Sequence, residues 1–326
     1  MKRRAILTGG IAMLAMRGAA TAEQATKMYR LGFLGTTSPR SHGAFVEAFR
    51  QGLRERGYLE GKNLVIDYRW AESDYARLPA LAAELVQLKV DVILTHSTPG
   101  ARAAKAATTT IPIVIAITGD AVATGLVQSL THPGGNVTGV TFFYPELNAK
   151  RIEMLKEALP AAKRVAVLLN DSNRGNVVTF DAVTKTARAV GVEVIQISAR
   201  SVEELDRAFQ QIGRARCEAL TVYEDPLFVA HATRLAALAN RYRVPSVGFR
   251  EYAEAGGLLG FGVYFPEAWH RAADFVDRIF KGAKPGDLPM EQAGKFETIV
   301  NLKTAKLLGL TIPPKILLRA ETIIEE

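Results

Sequence analysis

The chain has 326 residues, 48% hydrophobic and 23% charged, which excludes a disordered or fibrous protein and leaves room for two domains with separate cores. Its formal charge is +8, but residues 1–22 hold Lys2, Arg3, Arg4 and Arg17 and no acid, so without them the balance is +4. The remaining Lys and Arg alternate with Asp and Glu along helical stretches, a solvated-surface pattern that gives no support to nucleic-acid binding.

The chain opens on an expected export signal. Lys2-Arg3-Arg4 forms a charged start, residues 5–16 are apolar, and Ala20-Thr21-Ala22 fits a cleavage site, so residues 1–22 are expected to be removed. The paired arginines fit a twin-arginine route, with the general secretory route open as well. The one cysteine, Cys217, lies far from that site; this rules out a lipid anchor at the cleavage point, an internal disulfide and a cysteine zinc cluster. No later stretch reaches the roughly 18 apolar residues of a membrane helix. A soluble, exported protein is expected.

From residue 29 strands and helices alternate. YRLGFLG (29–35) reads as a buried strand ending in Thr36-Thr37-Ser38-Pro39. Residues 41–56 read as a helix with Phe45, Phe49 and Leu53 in one stripe. LVIDYRW (64–70) is a strand, and Ser73 or Asp74 is placed to cap the helix carrying Leu78, Leu81, Leu85 and Leu88. The next stretch, 91–143, organises the chain. Its apolar runs DVILT, PIVIAI and NVTGVTFF alternate with an alanine-rich helix, and the first two turn polar at once, giving His96-Ser97-Thr98 and Thr118-Gly119-Asp120. Such βα repetition implies a parallel sheet covered by helices on both faces.

After a helix at 145–159 a second series begins. It has strands at 164–169, 193–198, 219–222 and 245–249, with helices at 177–190, 202–215 and 228–242. Both series place a glycine turn, a strand, an acid-rich helix start and a second strand in one order, so two similar α/β lobes are expected. A single (β/α)₈ barrel has a similar number of units, but it ends on a plain βα unit. Here NVTGVTFF, LLGFGVY and FETIVNL read as three passes between lobes. The expected division is 27–141 with 261–292, and 142–260 with 293–326.

Ligand groups in such a fold come from strand-end loops. The first lobe supplies Thr36, Thr37, Ser38, Ser97, Thr98, Thr118 and Asp120; the second supplies Asn170, Asn173, Tyr223 and Asp225, with Glu224 and Ser172 nearby. Ser97 or Thr98 capping the following helix would leave amides for a carboxylate, and an acid on the second lobe suits an ammonium. Tyr264 and Phe249 are candidates for the cleft wall. The five histidines show no metal-ligand spacing, although His42 and His96 both follow first-lobe strands.

FRQGLRERGYLEGKNLVIDYRWAE, PGGNVTGVTF, EAGGLLGFGVYF, RIFKGAKPGDLP and KFETIVNLKTAKLLGLTIPPKILLRAETII together carry a family resemblance across nearly the whole chain after residue 22. The chain resembles bacterial ABC-transporter substrate-binding proteins of the type I periplasmic fold, in the family that includes tryptophan- and tyrosine-type binding proteins. Members commonly read serine-aspartate-proline after the fourth strand; this chain reads Gly119-Asp120-Ala121, keeping the acid without the proline. The resemblance implies two α/β lobes joined by three crossing segments and a solute in the cleft. It also implies an inner-membrane permease with its ATPase as partners, no cofactor and no catalysis. An amino acid or similar small carboxylate is the expected ligand, and a monomer the expected state.

Two other classes compete with this reading. A doubly wound enzyme acting on a small polar substrate is the alternative. Yet GFLGTTSPRSHG after the first strand lacks G-x-G-x-x-G, and neither a G-x-S-x-G elbow nor a Gly-Lys-Ser/Thr phosphate loop occurs. A repressor of the same fold would need a helix-turn-helix ahead of the first lobe, which residues 1–28 do not resemble.

Overall fold

The computed structural model describes residues 27–325. The expected signal, residues 1–22, lies outside them. In the first half β1 (Tyr29–Gly35), α1 (Pro39–Glu55), β2 (Leu64–Trp70), α2 (Leu78–Gln87), β3 (Val92–Thr95), α3 (Ser97–Ala107), β4 (Ile113–Thr118) and β5 (Val137–Thr141) follow in order. The second half continues with α4 (Tyr144–Ala158), β6 (Arg164–Leu169), α5 (Arg174–Ala189), β7 (Glu193–Ser198), α6 (Leu205–Arg214) and β8 (Ala219–Val222). Next come α7 (Pro226–Ala230), α8 (Ala232–Arg241), β9 (Ser246–Gly248), α9 (Arg250–Glu254) and β10 (Leu259–Val263). The chain closes with α10 (Phe265–Phe280), β11 (Glu291–Gln292), β12 (Phe296–Asn301), α11 (Leu302–Leu308), α12 (Pro314–Leu317) and β13 (Thr322–Ile324).

The strands form two sheets. The first has the order β11-β5-β4-β3-β1-β2 and is wholly parallel. The second runs β13-β12-β10-β9-β8-β6-β7, with β10 and β12 antiparallel. Helices cover both faces, so β3 and β4 are buried along their full length and read as unbroken apolar runs. α10 returns to the first lobe, where Phe280 stacks on Tyr29 at 4.2 Å and Asp277 accepts from the Tyr58 hydroxyl at 2.9 Å.

The three passes differ in detail from the expected ones. β5 belongs wholly to the first sheet, and β10 and β12 belong wholly to the second. The crossings are therefore the short joints at Phe142-Phe143, Tyr264 and residues 293–295. The expected boundary at 260/261 moves to Tyr264, because all of Leu259–Val263 is paired with β12. The helix expected over 228–242 is broken at His231, whose backbone leaves helical geometry (φ −120°, ψ 27°). The one expected at 202 starts at Leu205.

Candidate functional site

The carboxyl ends of the two sheets face each other across a cavity walled by both lobes. Its apolar wall is aromatic. The Trp269 ring, from α10, lies 6.1 Å from Phe45, 5.1 Å from His96 and 6.4 Å from His42, and the two imidazoles are 4.8 Å apart. Phe142, Tyr144 and Phe265 complete this side.

Both histidines are held from behind by the turn that follows β1. The Thr36 amide donates to His96 Nε2 at 3.2 Å, so Nε2 is the acceptor and the ring proton is assigned to Nδ1. The Thr37 hydroxyl lies 2.7 Å from His42 Nδ1. Burial lowers the pKa of His42 to about 4, and it lowers that of His96 well below the ordinary value, with His42 adding to the effect. Near neutral pH the pair offers uncharged aromatic faces.

The polar side begins at α3. His96, not Ser97 or Thr98, occupies the cap position, with extended backbone and no side-chain cap. The expected capping role is thus corrected: Ser97 adopts φ +61°, and its Oγ is buried without a partner. Thr98 Oγ1 lies 3.2 Å from Thr118 Oγ1. Three hydroxyls and the start of an eleven-residue helix therefore meet at the first-lobe wall.

From the second lobe come Glu224, Asp225 and Val229. Glu224 is bound in two prongs by the fully buried Arg151, which also donates to the Phe261 carbonyl at 2.8 Å, so this charge is internally compensated. Asp225 caps α7 and accepts from Leu227 N (3.1 Å), Asn170 Nδ2 (3.1 Å), Asn173 Nδ2 (2.9 Å) and Tyr75 Oη (2.7 Å). Desolvation raises its pKa, while those hydrogen bonds act in the opposite direction. No lysine or arginine lines the cavity among the described residues.

Of the residues expected at the site, Ser97, Thr98, Thr118 and Asp225 line the cavity. Asn170 and Asn173 stand behind Asp225 and orient it. Thr36 and Thr37 are fully buried behind the histidines. Ser38 caps α1 in a reciprocal box with Ser41. Asp120 turns onto its own loop, its Oδ1 accepting from Val122 N (3.1 Å) and Ala123 N (2.9 Å), thereby bracing the turn that lacks the proline. Tyr223 packs into the core 5.6 Å from Tyr144, and Phe249 is wholly buried in the second lobe. Tyr264 lies outside the cavity, at the second crossing, between Arg250 (5.1 Å) and Lys295 (4.0 Å).

The sequence points to His42 and His96 as residues that follow first-lobe strands, but not to Phe45 and Trp269, which complete their wall. Nothing local separates Phe45 or Trp269 from ordinary core positions. The site holds serine, histidine and carboxylate without a relay: Ser97 Oγ bonds no base, and each imidazole is tied to a threonine. No group of three or more His, Cys, Asp or Glu among the described residues is placed to hold a metal ion.

Two doubly wound lobes joined by three short crossings, with polar and aromatic strand ends facing a common cleft, define a type I periplasmic binding fold. The chain belongs to the family described as ABC transporter substrate binding protein, whose profile matches residues 37–324. It is 30% identical over 265 residues to a tyrosine-binding protein of Clostridioides difficile, covering 81% of this chain and 76% of that one. Among solved structures, a Streptococcus pneumonia ABC domain in complex with L-Trp superposes with a TM-score of 0.84 at 24% identity, over 91% of this chain and all of that one. A Clostridium difficile substrate binding protein with adhesive properties, in a ligand-free, open structure, gives 0.65 at 26% identity, over 92% of this chain and all of that one.

Proposed function

We propose that this chain is the solute receptor of an ABC importer and that its cleft takes an amino acid with an aromatic side chain. One observation carries the reading. The cavity sets a wall of Phe45, Trp269 and two uncharged histidines beside the hydroxyl-lined start of α3, with the buried Asp225 opposite. With no cationic side chain in the lining, a ligand carboxylate is matched by the α3 amides and the hydroxyls of Ser97, Thr98 and Thr118. Asp225 then faces the ammonium, and the aromatic wall takes the side chain. The likeness to a tyrosine-binding protein supports the same ligand class.

On this reading the chain is exported, works as a monomer in the periplasm and delivers its solute to an inner-membrane permease driven by its ATPase. It is a receptor without a cofactor rather than an enzyme. A thermal-shift screen of the twenty amino acids tests the ligand class. L-tyrosine, L-tryptophan or L-phenylalanine is expected to stabilise the protein, by ~2.7 kcal/mol at a hundred times Kd. Stabilisation by a sugar or a basic amino acid, with none by an aromatic one, would overturn the proposal.

A further inference from the structure

Tyr75 lies outside the cavity, yet it joins the lobes. It sits in a short 3₁₀ turn, Tyr75–Arg77, after β2. This loop is fastened to the first lobe: Ala71 N donates to Gly35 O at 2.9 Å, Glu72 N to Thr37 O at 2.9 Å and Ser73 N to Thr36 O at 3.0 Å. Asp74 Oδ1 accepts from Ala76 N at 3.0 Å, closing the turn. Tyr75 is thus presented by a braced loop, not by a flap.

Its hydroxyl reaches Asp225 Oδ1 in the second lobe at 2.7 Å. Among the described residues this is the only side-chain hydrogen bond that spans the lobes away from the crossings. The acceptor is fixed as well, because Asn170 and Asn173 hold both Asp225 oxygens. A rigid donor on one lobe and a rigid acceptor on the other meet only when the cleft is shut. A second close approach lies beside it, where a Cβ added to Gly175 would stand 2.8 Å from Thr98 Oγ1 across the cleft. The shut position tolerates no side chain there without a shift.

We infer that the Tyr75–Asp225 hydrogen bond is a latch that holds the cleft closed and sets the dwell time of the ligand without touching it. The inference rests on the cleft being the ligand site. An apparent affinity scales with the fraction of receptor in the binding-competent state. Removing the latch therefore weakens every ligand by one common factor, chiefly through faster release. A cavity-wall residue would change the ranking of ligands instead.

The test uses the exported chain with one spin label on each lobe, comparing the unaltered sequence, Tyr75→Phe and Gly175→Ala. Without ligand, Tyr75→Phe is expected to shift the interlobe distances toward the longer ones that Gly175→Ala enforces. Release of L-tyrosine, L-tryptophan and L-phenylalanine, followed by stopped-flow fluorescence, is expected to quicken about tenfold, with the affinity ratios among them unchanged. Unchanged distances and release rates would overturn the latch. Altered affinity ratios would also overturn it, showing Tyr75 in contact with ligand. If no aromatic amino acid binds, the ligand reading fails while the distance measurement still decides the latch.

Discussion

On the proposed function, Ser97 concentrates the tension between stability and binding in one residue. A side chain at φ +61° is uncomfortable, and its buried hydroxyl has no protein partner to repay the strain. Ser97→Gly should leave stability unchanged or raise it by up to ~1 kcal/mol in urea unfolding. The same change should weaken ligand binding by about ten- to a hundredfold by titration calorimetry, the value of one hydrogen bond to a charged group. Lower stability with full affinity would instead assign the hydroxyl to the fold. Glu251 gives a second test. Both its carboxylate oxygens are buried without a hydrogen bond, Arg250 approaching only to 3.9 Å, and burial raises its pKa from 4.5 to about 7. The folded state therefore holds the proton more tightly than the unfolded chain, a stabilisation complete below about pH 4.5 and lost as pH rises through about 7. Glu251→Gln should be more stable than the unaltered protein at pH 8, by on the order of 2–3 kcal/mol, and should lose that advantage near pH 5. Melting curves at the two pH values decide it.

At the scale of elements, β5 is held against β4 by an irregular step between Ile115 and Thr118. Gly139 occupies the tight point with φ +133°, and a Cβ there would meet the Ile115 carbonyl oxygen at 2.1 Å. Backbone cannot yield as a side chain can, so Gly139→Ala should cost on the order of 2–4 kcal/mol, measured as a lower urea midpoint. An unchanged midpoint would show that β5 can slide. This glycine read only as part of an extended run, although the run itself was plain in the sequence. The alternating strands and helices were legible throughout, because hydrophobic period is a local property of the chain. The stripe of Phe45, Phe49 and Leu53 gave α1, and the polar strand ends located the cleft edge. Which strand-end residue faces the cavity was less legible, because it depends on partners far along the chain. Asp225 is held in place by Asn170 and Asn173, 55 and 52 residues earlier, while Asp120 spends its carboxylate on its own turn. The break at His231 also escaped the periodicity, yet it ends α7 just after Val229, which lines the cavity.

For the whole molecule, the proposed function has binding and closure share one surface. A single apolar cluster runs from Phe45, Trp269 and Phe142 to Val167 and Leu169 in the second sheet and Tyr223 at its edge, so the shut cleft continues the first lobe's core into the second. Opening must divide that cluster by movement at three short joints, since the sheets on either side are each hydrogen-bonded throughout. A ligand lodged at the division should therefore slow exchange of amides on both lobes at once. Native-state hydrogen exchange with L-tyrosine should show added protection at the start of α3 and at the start of α7, and little at the outer strands β2, β7 and β13. Protection confined to α3 would place the ligand on one lobe alone. In that case the aromatic wall would be ordinary core, and the facing Asp225 would have no ligand to hold.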